Sequence, residues 1–178
     1  MSSIDPRHLR EAAVVVAVCI SPGGVPKQTV SVAEVQADGL VGDGHNHEKH
    51  RRPHRAVCIQ DIELLDQLRA EGYPVQPGTI GENLTVRGLN VQQMAPGQML
   101  VFENGPVLEL SELRKPCYVL DAIHPDLQHV VVGRCGFFAR VVNPGRVWPG
   151  QRITVTAPQR DPAARHPSPA QDRSERES

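Results

Sequence analysis

The chain has 178 residues with 19 basic and 20 acidic side chains, so its formal net charge at neutral pH is −1. This length predicts one domain with its own hydrophobic core, and the balanced charge excludes bulk attraction to nucleic acid or to a membrane as the basis of function. Four cysteines without a C-x-x-C pair are too sparse for a small secreted disulfide scaffold.

The first apolar run, at residues 12–20, is too short for a membrane span, which needs about 20 residues. It also lacks the basic leader of a signal peptide, since Glu11 precedes it. We interpret this run as a buried first strand. With no targeting signal visible, we expect a cytoplasmic protein with reduced thiols.

Short β-type runs separated by glycine and proline dominate the rest of the chain. Asn104 and Gly105 lie between two of them and predict a tight hairpin. One run alternates and places Val30, Val32 and Val35 on apolar positions. We predict further strands at residues 28–36, 55–60, 98–104, 106–112, 137–142 and 151–157.

Helical patterns are fewer. Residues 61–72 predict the clearest helix, with Asp61 as its N-cap and Gly72 just past its end. Its apolar stripe consists of Ile62, Leu65 and Leu68. Residues 116–123 and 124–131 predict two shorter helices. The fold class that follows is mainly β with a few short helices.

The amino-acid composition of the chain changes at Pro158. From there it is rich in proline and charge and contains no large hydrophobic residue, so it cannot offset its chain entropy by burial. We therefore predict a single domain over residues 1–157 and a disordered tail over residues 158–178.

Cys117 is the strongest candidate for a catalytic residue. In "LRKPC" it follows a proline after a predicted strand, with Arg114 and Lys115 close by. Nearby positive charge favours the thiolate, the form of cysteine that acts as a nucleophile or sulfur carrier. The alternative is a small buried apolar residue, which is how we interpret Cys19 and Cys58.

Histidines crowd the segment at residues 42–57, which also contains acidic side chains. Imidazoles and carboxylates are usual ligands of zinc and related divalent metals, so His45, His50 and His54 are candidate metal ligands. A metal there would support an enzyme that cleaves a bond to sulfur or hydrolyses its substrate, with Cys117 as a further ligand or acid–base group. The spacing fits no zinc finger, and an exposed polar loop is the alternative.

Two further stretches contain candidate binding groups. Glu82 and Asn83 in "GENLTV" can bind a polar ligand or close their own turn. Arg134 and Arg140 can bind anionic oxygens through the planar guanidinium, or they can be ordinary surface residues of a strand. Hydrolase, P-loop and dinucleotide-binding motifs are absent from the sequence.

Five stretches in a fixed order resemble the MOSC domain, which is named after the C-terminal part of molybdenum cofactor sulfurases. They are "GDGH…HRAV", "GTIGENLTVRGL", "PGQMLVF", "LRKPC" and "GRCGFFARVVNPGRVWPGQ". The resemblance extends from Gly24 to Val155. It implies a MOSC-type β-barrel of the standalone kind, with Cys117 at the position of the family's cysteine, which is proposed to carry sulfur as a persulfide. We expect the turn to display this cysteine at the mouth of the barrel.

The resemblance also implies binding of the molybdenum cofactor, with a role in sulfur transfer or in the reduction of N-hydroxylated compounds, and it links the family to pyridoxal phosphate proteins. The expected cofactor-binding residues, some matched to family motifs and some grouped with them in a basic pocket, are Asp43, His54, Arg55, Glu82, Asn83, Arg114, Arg134 and Arg140. Expected partners are a sulfur donor such as a cysteine desulfurase, a molybdenum enzyme, or a small-molecule substrate.

This sequence departs from the family pattern in two ways. No second barrel or enzyme domain of the larger members is visible, and its histidine-rich loop is unusual. The histidines keep the metal-dependent enzyme open as an alternative. A second alternative is a non-catalytic binding module for a molybdenum enzyme, in which Cys117 would be dispensable.

Overall fold

The structure is a computed structural model that describes residues 12–44 and 52–156. The strands in these ranges are β1 (Ala13–Ile20), β2 (Gln28–Val30), β3 (Ala33–Gln36), β4 (Gly39–Leu40), β5 (Val57–Asp61), β6 (Leu84–Arg87), β7 (Met99–Phe102), β8 (Val107–Leu113), β9 (Phe137–Asn143), β10 (Gly145–Val147) and β11 (Arg152–Thr156). The helices are α1 (Ile62–Ala70) and α2 (Leu127–Val130), with short 3-10 helices at Pro53–Arg55, Val91–Gln93 and Tyr118–Ala122.

Seven strands close into a barrel. Their order is β11-β7-β8-β9-β5-β6-β1, and β1 pairs again with β11. Neighbouring strands are antiparallel except β5 and β6, which are parallel and separated in sequence by α1. Strand β2 extends the sheet beside β1, and β10, β3 and β4 form a separate sheet. The predicted mainly β fold with a barrel is therefore confirmed.

Strand β5 is buried at all five positions because both of its faces are covered. Val57 and Ile59 belong to the barrel core, so the alternation of a strand turns Cys58 to the outer side. A second apolar cluster, built around Leu65 and Leu68 of α1, lies outside the core cluster. The barrel wall thus has packed layers on both sides in this region.

One predicted strand, at residues 28–36, is divided in the structure. Its first part pairs with β1, and its second part pairs with β10 and β4 in the other sheet. The chain bends at Ser31 between them. Val35 is buried as predicted, but Val32 is 50% exposed, so its assignment to an apolar position was wrong.

Helix α1 confirms its apolar stripe, since Ile62, Leu65 and Leu68 are all buried, but not its cap. The Asp61 side chain makes no capping hydrogen bond and instead accepts the backbone N–H of Val91 at 3.1 Å. Tertiary structure gives this carboxylate a partner 30 residues away in sequence.

The helix predicted at residues 116–123 is shorter than expected. Cys117 has extended backbone angles and directly precedes the 3-10 helix at Tyr118–Ala122. The predicted tail lies outside the described residues. Within the described ranges, no helix combines the length and the apolar character required to cross a membrane.

Candidate functional site

A cavity of about 370 Å³ lies beside Cys117. Cys58 of β5 and Phe138 of β9 form one wall, and both alternate with residues of the barrel core. The cavity therefore lies on the outer face of the barrel wall, and the expectation that Cys117 sits at the mouth of the barrel was wrong. The lining residues are Gly24, Val25, Lys27, Asp43, Gly44, Arg55, Cys58, Gly81, Asn83, Arg114, Cys117, Tyr118, Val119 and Phe138.

Cys117 differs from the other cysteines in its access to solvent. Cys19, Cys58 and Cys135 are buried, whereas Cys117 is partly exposed and lines the cavity. It follows the end of β8 in extended backbone, so the chain leaves the barrel wall just before the thiol. This thiol can meet both a reagent from solvent and a molecule in the cavity.

Asp43 and Asn83 build a wall of the cavity. The Asp43 carboxylate accepts hydrogen bonds from Lys27 Nζ at 2.5 Å, from the Ser21 backbone N–H at 2.9 Å and from Asn83 Nδ2 at 2.8 Å. Asn83 Oδ1 accepts the backbone N–H of Cys58 at 3.0 Å. The "GD" and "GEN" stretches thus meet through their side chains, and the buried charge of Asp43 is balanced by Lys27.

The Glu82 side chain points away from the cavity and stabilises the turn at Gly78. Its Oε1 accepts the backbone N–H of Gly78 at 2.8 Å and the hydroxyl of Thr85 at 3.0 Å, and burial raises the pKa of this carboxyl. Gly78 has φ +85°, and a Cβ there would lie 2.3 Å from the Lys27 carbonyl oxygen. The hydrogen bonds of Glu82 therefore hold a turn that only glycine can form, and Glu82 does not line the cavity.

Arg114 runs into the protein beneath the cavity. Its Nη2 donates to the Ile80 carbonyl at 2.6 Å, while its Nη1 is buried without a hydrogen-bond partner. Burial alone would lower the pKa of this guanidinium, but the acidic groups around it, Glu82 among them, outweigh that effect and raise it. The side chain therefore keeps its charge, and its Nη1 group has no hydrogen-bond partner among the described residues.

The buried thiols are held in the protonated form. Burial raises the pKa of Cys19 to about 12, with a further contribution from Glu82. It raises the pKa of Cys135 to about 11 and also raises that of Cys58, in both cases against the opposing charge of Arg114. None of these three thiols is a resting nucleophile at neutral pH.

Arg55 lies at the rim of the cavity. Its Nε and Nη2 donate to the two carboxylate oxygens of Glu112, at 2.5 and 3.2 Å, and its guanidinium lies 5.4 Å from the centre of the Phe138 ring. His54 Nε2 is 3.4 Å from the same carboxylate but does not line the cavity. The rim therefore presents a cation in a fixed position.

The structure does not bring every expected residue to the cavity. Arg134 donates to both oxygens of Glu71, at 2.6 and 3.0 Å, and Arg140 donates to Glu109 at 2.7 Å. Neither arginine lines the cavity. His45 and His50 lie outside the described residues, and the part of the chain that the structure describes contains no group of three side chains able to hold a metal ion.

Sequence reasoning missed several of the lining residues, among them Lys27, Cys58, Tyr118 and Phe138. Adjacency to Cys117 was a usable signal for Tyr118, and Phe138 follows a core aromatic in "GFFAR". We find no local signal for Lys27, whose partner is 16 residues away. Cys58 was assigned to an inert core because its strand is apolar on both faces.

Comparison with known proteins gives one family. The sequence model of the MOSC domain matches residues 46–154. The uncharacterized protein YflK of Bacillus subtilis is 28% identical over 144 residues, which cover 76% of this chain and 64% of YflK. A protein named Reductase from Gibberella moniliformis is 29% identical over 127 residues, which cover 67% of this chain and 23% of that protein. The chain thus spans less than two thirds of each relative.

Solved structures share the fold. The YuaD protein of Bacillus subtilis superposes with a TM-score of 0.69 and 21% identity, over 83% of this chain and 97% of that chain. YiiM of Escherichia coli has a TM-score of 0.61 and 24% identity, over 83% and 72% of the two chains.

Proposed function

This chain belongs to the MOSC domain family, which is associated with molybdenum cofactor sulfurases, and we propose that it carries sulfur on Cys117 next to a bound molybdenum cofactor. One observation supports this most directly. The partly exposed cysteine lines a cavity of about 370 Å³ together with Lys27, Arg55 and Arg114. A carrier that needed only an accessible thiol would not require a cavity with three cations.

The donor set of the cavity fits the cofactor. A molybdopterin has an anionic phosphate and polar ring edges, and its metal is a partner for sulfur. Lys27, Arg55 and Arg114 line the cavity and give it positive potential, even though Lys27 and Arg55 are each paired with a carboxylate. When bound, the cofactor would supply a molybdenum centre, and Cys117 would be the thiol that faces it.

The sulfur-loading step uses the protein's own thiol. The Cys117 thiolate attacks the outer sulfur of a persulfide on a donor such as a cysteine desulfurase. A new S–S bond forms at Cys117, the S–S bond of the donor breaks, and the donor cysteine leaves as a thiolate. The other three thiols do not compete for the donor, because they are buried from solvent and burial keeps them protonated at rest.

A second candidate function is the reduction of N-hydroxylated compounds on the same bound cofactor. The relative named Reductase favours it. In that case Cys117 would be a ligand of the metal and would not carry sulfur. The metal-dependent enzyme with the histidine loop and the non-catalytic module both stay predictions.

Native mass spectrometry without reductant tests the proposal. After incubation with a cysteine desulfurase and cysteine, we expect the wild type to gain the mass of one sulfur atom and Cys117→Ser to gain none. Cys19→Ala is the matched control, since it removes a buried thiol that does not line the cavity. Equal loading of Cys117→Ser would overturn sulfur carriage on this residue.

A second measurement addresses the cofactor. Protein from a host that makes the cofactor is oxidised, and the released pterin is quantified by fluorescence. We expect pterin in the wild type, and its absence would overturn the cofactor part of the proposal. If the loaded protein reduced an N-hydroxylated compound while no sulfur accumulated on Cys117, the second candidate would replace the first.

A further inference from the structure

The cavity contains a second thiol that the loading step leaves unused. Cys58 lies in β5, faces the outer side of the barrel and lines the same cavity as Cys117. Cys19 and Cys135 do not line it. Resting on the proposed function, we propose that Cys58 is the resolving thiol of the site, which attacks the Cys117 persulfide and releases its outer sulfur into the cavity as hydrosulfide.

The position of Cys58 is fixed by the cavity wall. Its backbone N–H donates to Asn83 Oδ1 at 3.0 Å, and Asn83 is in turn bonded to Asp43. A persulfide on Cys117 extends one sulfur atom further than the thiol. The two cysteines thus border one space, which a sulfur atom added to Cys117 can enter.

The step balances with the groups named. The Cys58 sulfur attacks the sulfur of Cys117, a Cys58–Cys117 disulfide forms, and the bond to the outer sulfur breaks. The outer sulfur leaves with the electron pair as hydrosulfide and takes up the thiol proton. Two cysteines are oxidised to a disulfide while the outer sulfur is reduced, and a dithiol reductant returns both to thiols.

Arg114 supplies the charge that this step needs. Its guanidinium lowers the cost of the Cys58 thiolate, against the burial that raises the pKa of this thiol. Arg114 also lines the cavity, so its positive charge favours the anionic hydrosulfide that leaves into it. At rest Cys58 stays protonated, so it does not compete with Cys117 for the sulfur donor.

Cys135 is the alternative candidate for the resolving thiol. It also lies near Arg114, but it belongs to the apolar cluster of Leu120 and Val131 outside the barrel and does not line the cavity. Cys135 lies close enough to Cys58 and Cys117 for their charges to raise its pKa, so a disulfide to Cys135 is the competing outcome of the test. Experiment can distinguish the roles of Cys58 and Cys135, because each can be replaced by serine on its own.

The test loads the protein with sulfur, removes the donor, and follows both released sulfide and disulfides mapped by mass spectrometry of non-reduced peptides. We expect the wild type and Cys135→Ser to release sulfide and form the Cys58–Cys117 disulfide. Cys58→Ser is expected to lose sulfide release and to retain the persulfide. Sulfide release from Cys58→Ser at the wild-type rate, or a disulfide to Cys135, would overturn the inference.

If Cys58→Ser does not fold, a measurement on the wild-type protein still tests the inference. Diamide oxidises neighbouring thiols to disulfides. We expect it to form the Cys58–Cys117 disulfide in the wild-type protein that carries no persulfide. If this disulfide does not form, the result counts against the inference. A persulfide that forms on Cys117 and persists in the wild type would refute the resolving role alone. Failure to form any persulfide would refute the proposed function and this inference with it.

Discussion

Asp61 gives the sharpest prediction about stability. It ends β5, is 1% exposed, and accepts the backbone N–H groups of Val91 and Gln92 at 3.1 and 3.5 Å. Burial outweighs these hydrogen bonds and raises its pKa from 3.8 to about 6. The folded state therefore binds this proton more tightly than the unfolded state, and the group's contribution to stability falls as the pH rises between these two values.

The magnitude follows from the two pKa values. The interval from 3.8 to about 6, at about 1.36 kcal/mol per pH unit, corresponds to about 3 kcal/mol of unfolding free energy. Asp61→Asn is neutral throughout and keeps an acceptor for the Val91 N–H. We expect its free energy of unfolding, relative to wild type, to rise by up to about 3 kcal/mol between about pH 4 and about pH 7.

Urea titrations followed by the fluorescence of Trp148, the single tryptophan, measure this difference at each pH. Asp66→Asn is the control, because it removes an exposed carboxylate from the same helix. The control removes one negative charge from the helix and leaves the buried site unchanged, so a difference seen only in Asp61→Asn is due to the buried carboxylate. If the difference between Asp61→Asn and wild type stayed flat to within about 0.5 kcal/mol over this range, the buried carboxylate would not titrate as argued.

Paired variants test the local geometry and the cavity. Gly136→Ala should lower the free energy of unfolding by more than about 3 kcal/mol, because φ is +89° and the new Cβ would lie 2.2 Å from the Ile59 carbonyl oxygen. Gly133→Ala is the control, since Gly133 has φ +72° and open space around the new Cβ, and it should cost about 1 kcal/mol. Thermal or urea unfolding measures both. A similar loss in both would contradict the close approach. Arg55→Gln should weaken retention of the pterin cofactor by roughly tenfold, because Arg55 lines the cavity. Arg140→Gln should leave retention unchanged, because Arg140 is paired with Glu109 and does not line the cavity. Equal effects of the two variants would mean that the cavity rim does not bind the cofactor.

Cys117 could be selected as a candidate from sequence because its signals are local, and its chemistry stays a prediction. A strand pattern, a proline and neighbouring cations all lie within a few residues of it. The hairpin at Asn104 and the apolar stripe of α1 were predictable for the same reason, since turn type and helical periodicity depend on adjacent residues. These features hold in the structure.

Which arginines reach the cavity was decided by tertiary structure alone. Arg55, Arg134 and Arg140 are equally plausible anion ligands in sequence, yet only Arg55 lines the cavity. Its partner, Glu112, is 57 residues away and is brought close by the antiparallel pairing of β5, β9 and β8. Strand register between distant segments fixes such pairs, and no local pattern encodes it.

Cys58 makes the same point for the thiols. The sequence by itself determined that this residue lies in an apolar strand and is buried, and both statements hold. Only the fold decided that one face of β5 packs into the barrel while the other borders a cavity with Cys117 and Arg114. A strand covered on both faces has apolar residues at every position, so its sequence cannot distinguish the core side from the side that forms the site.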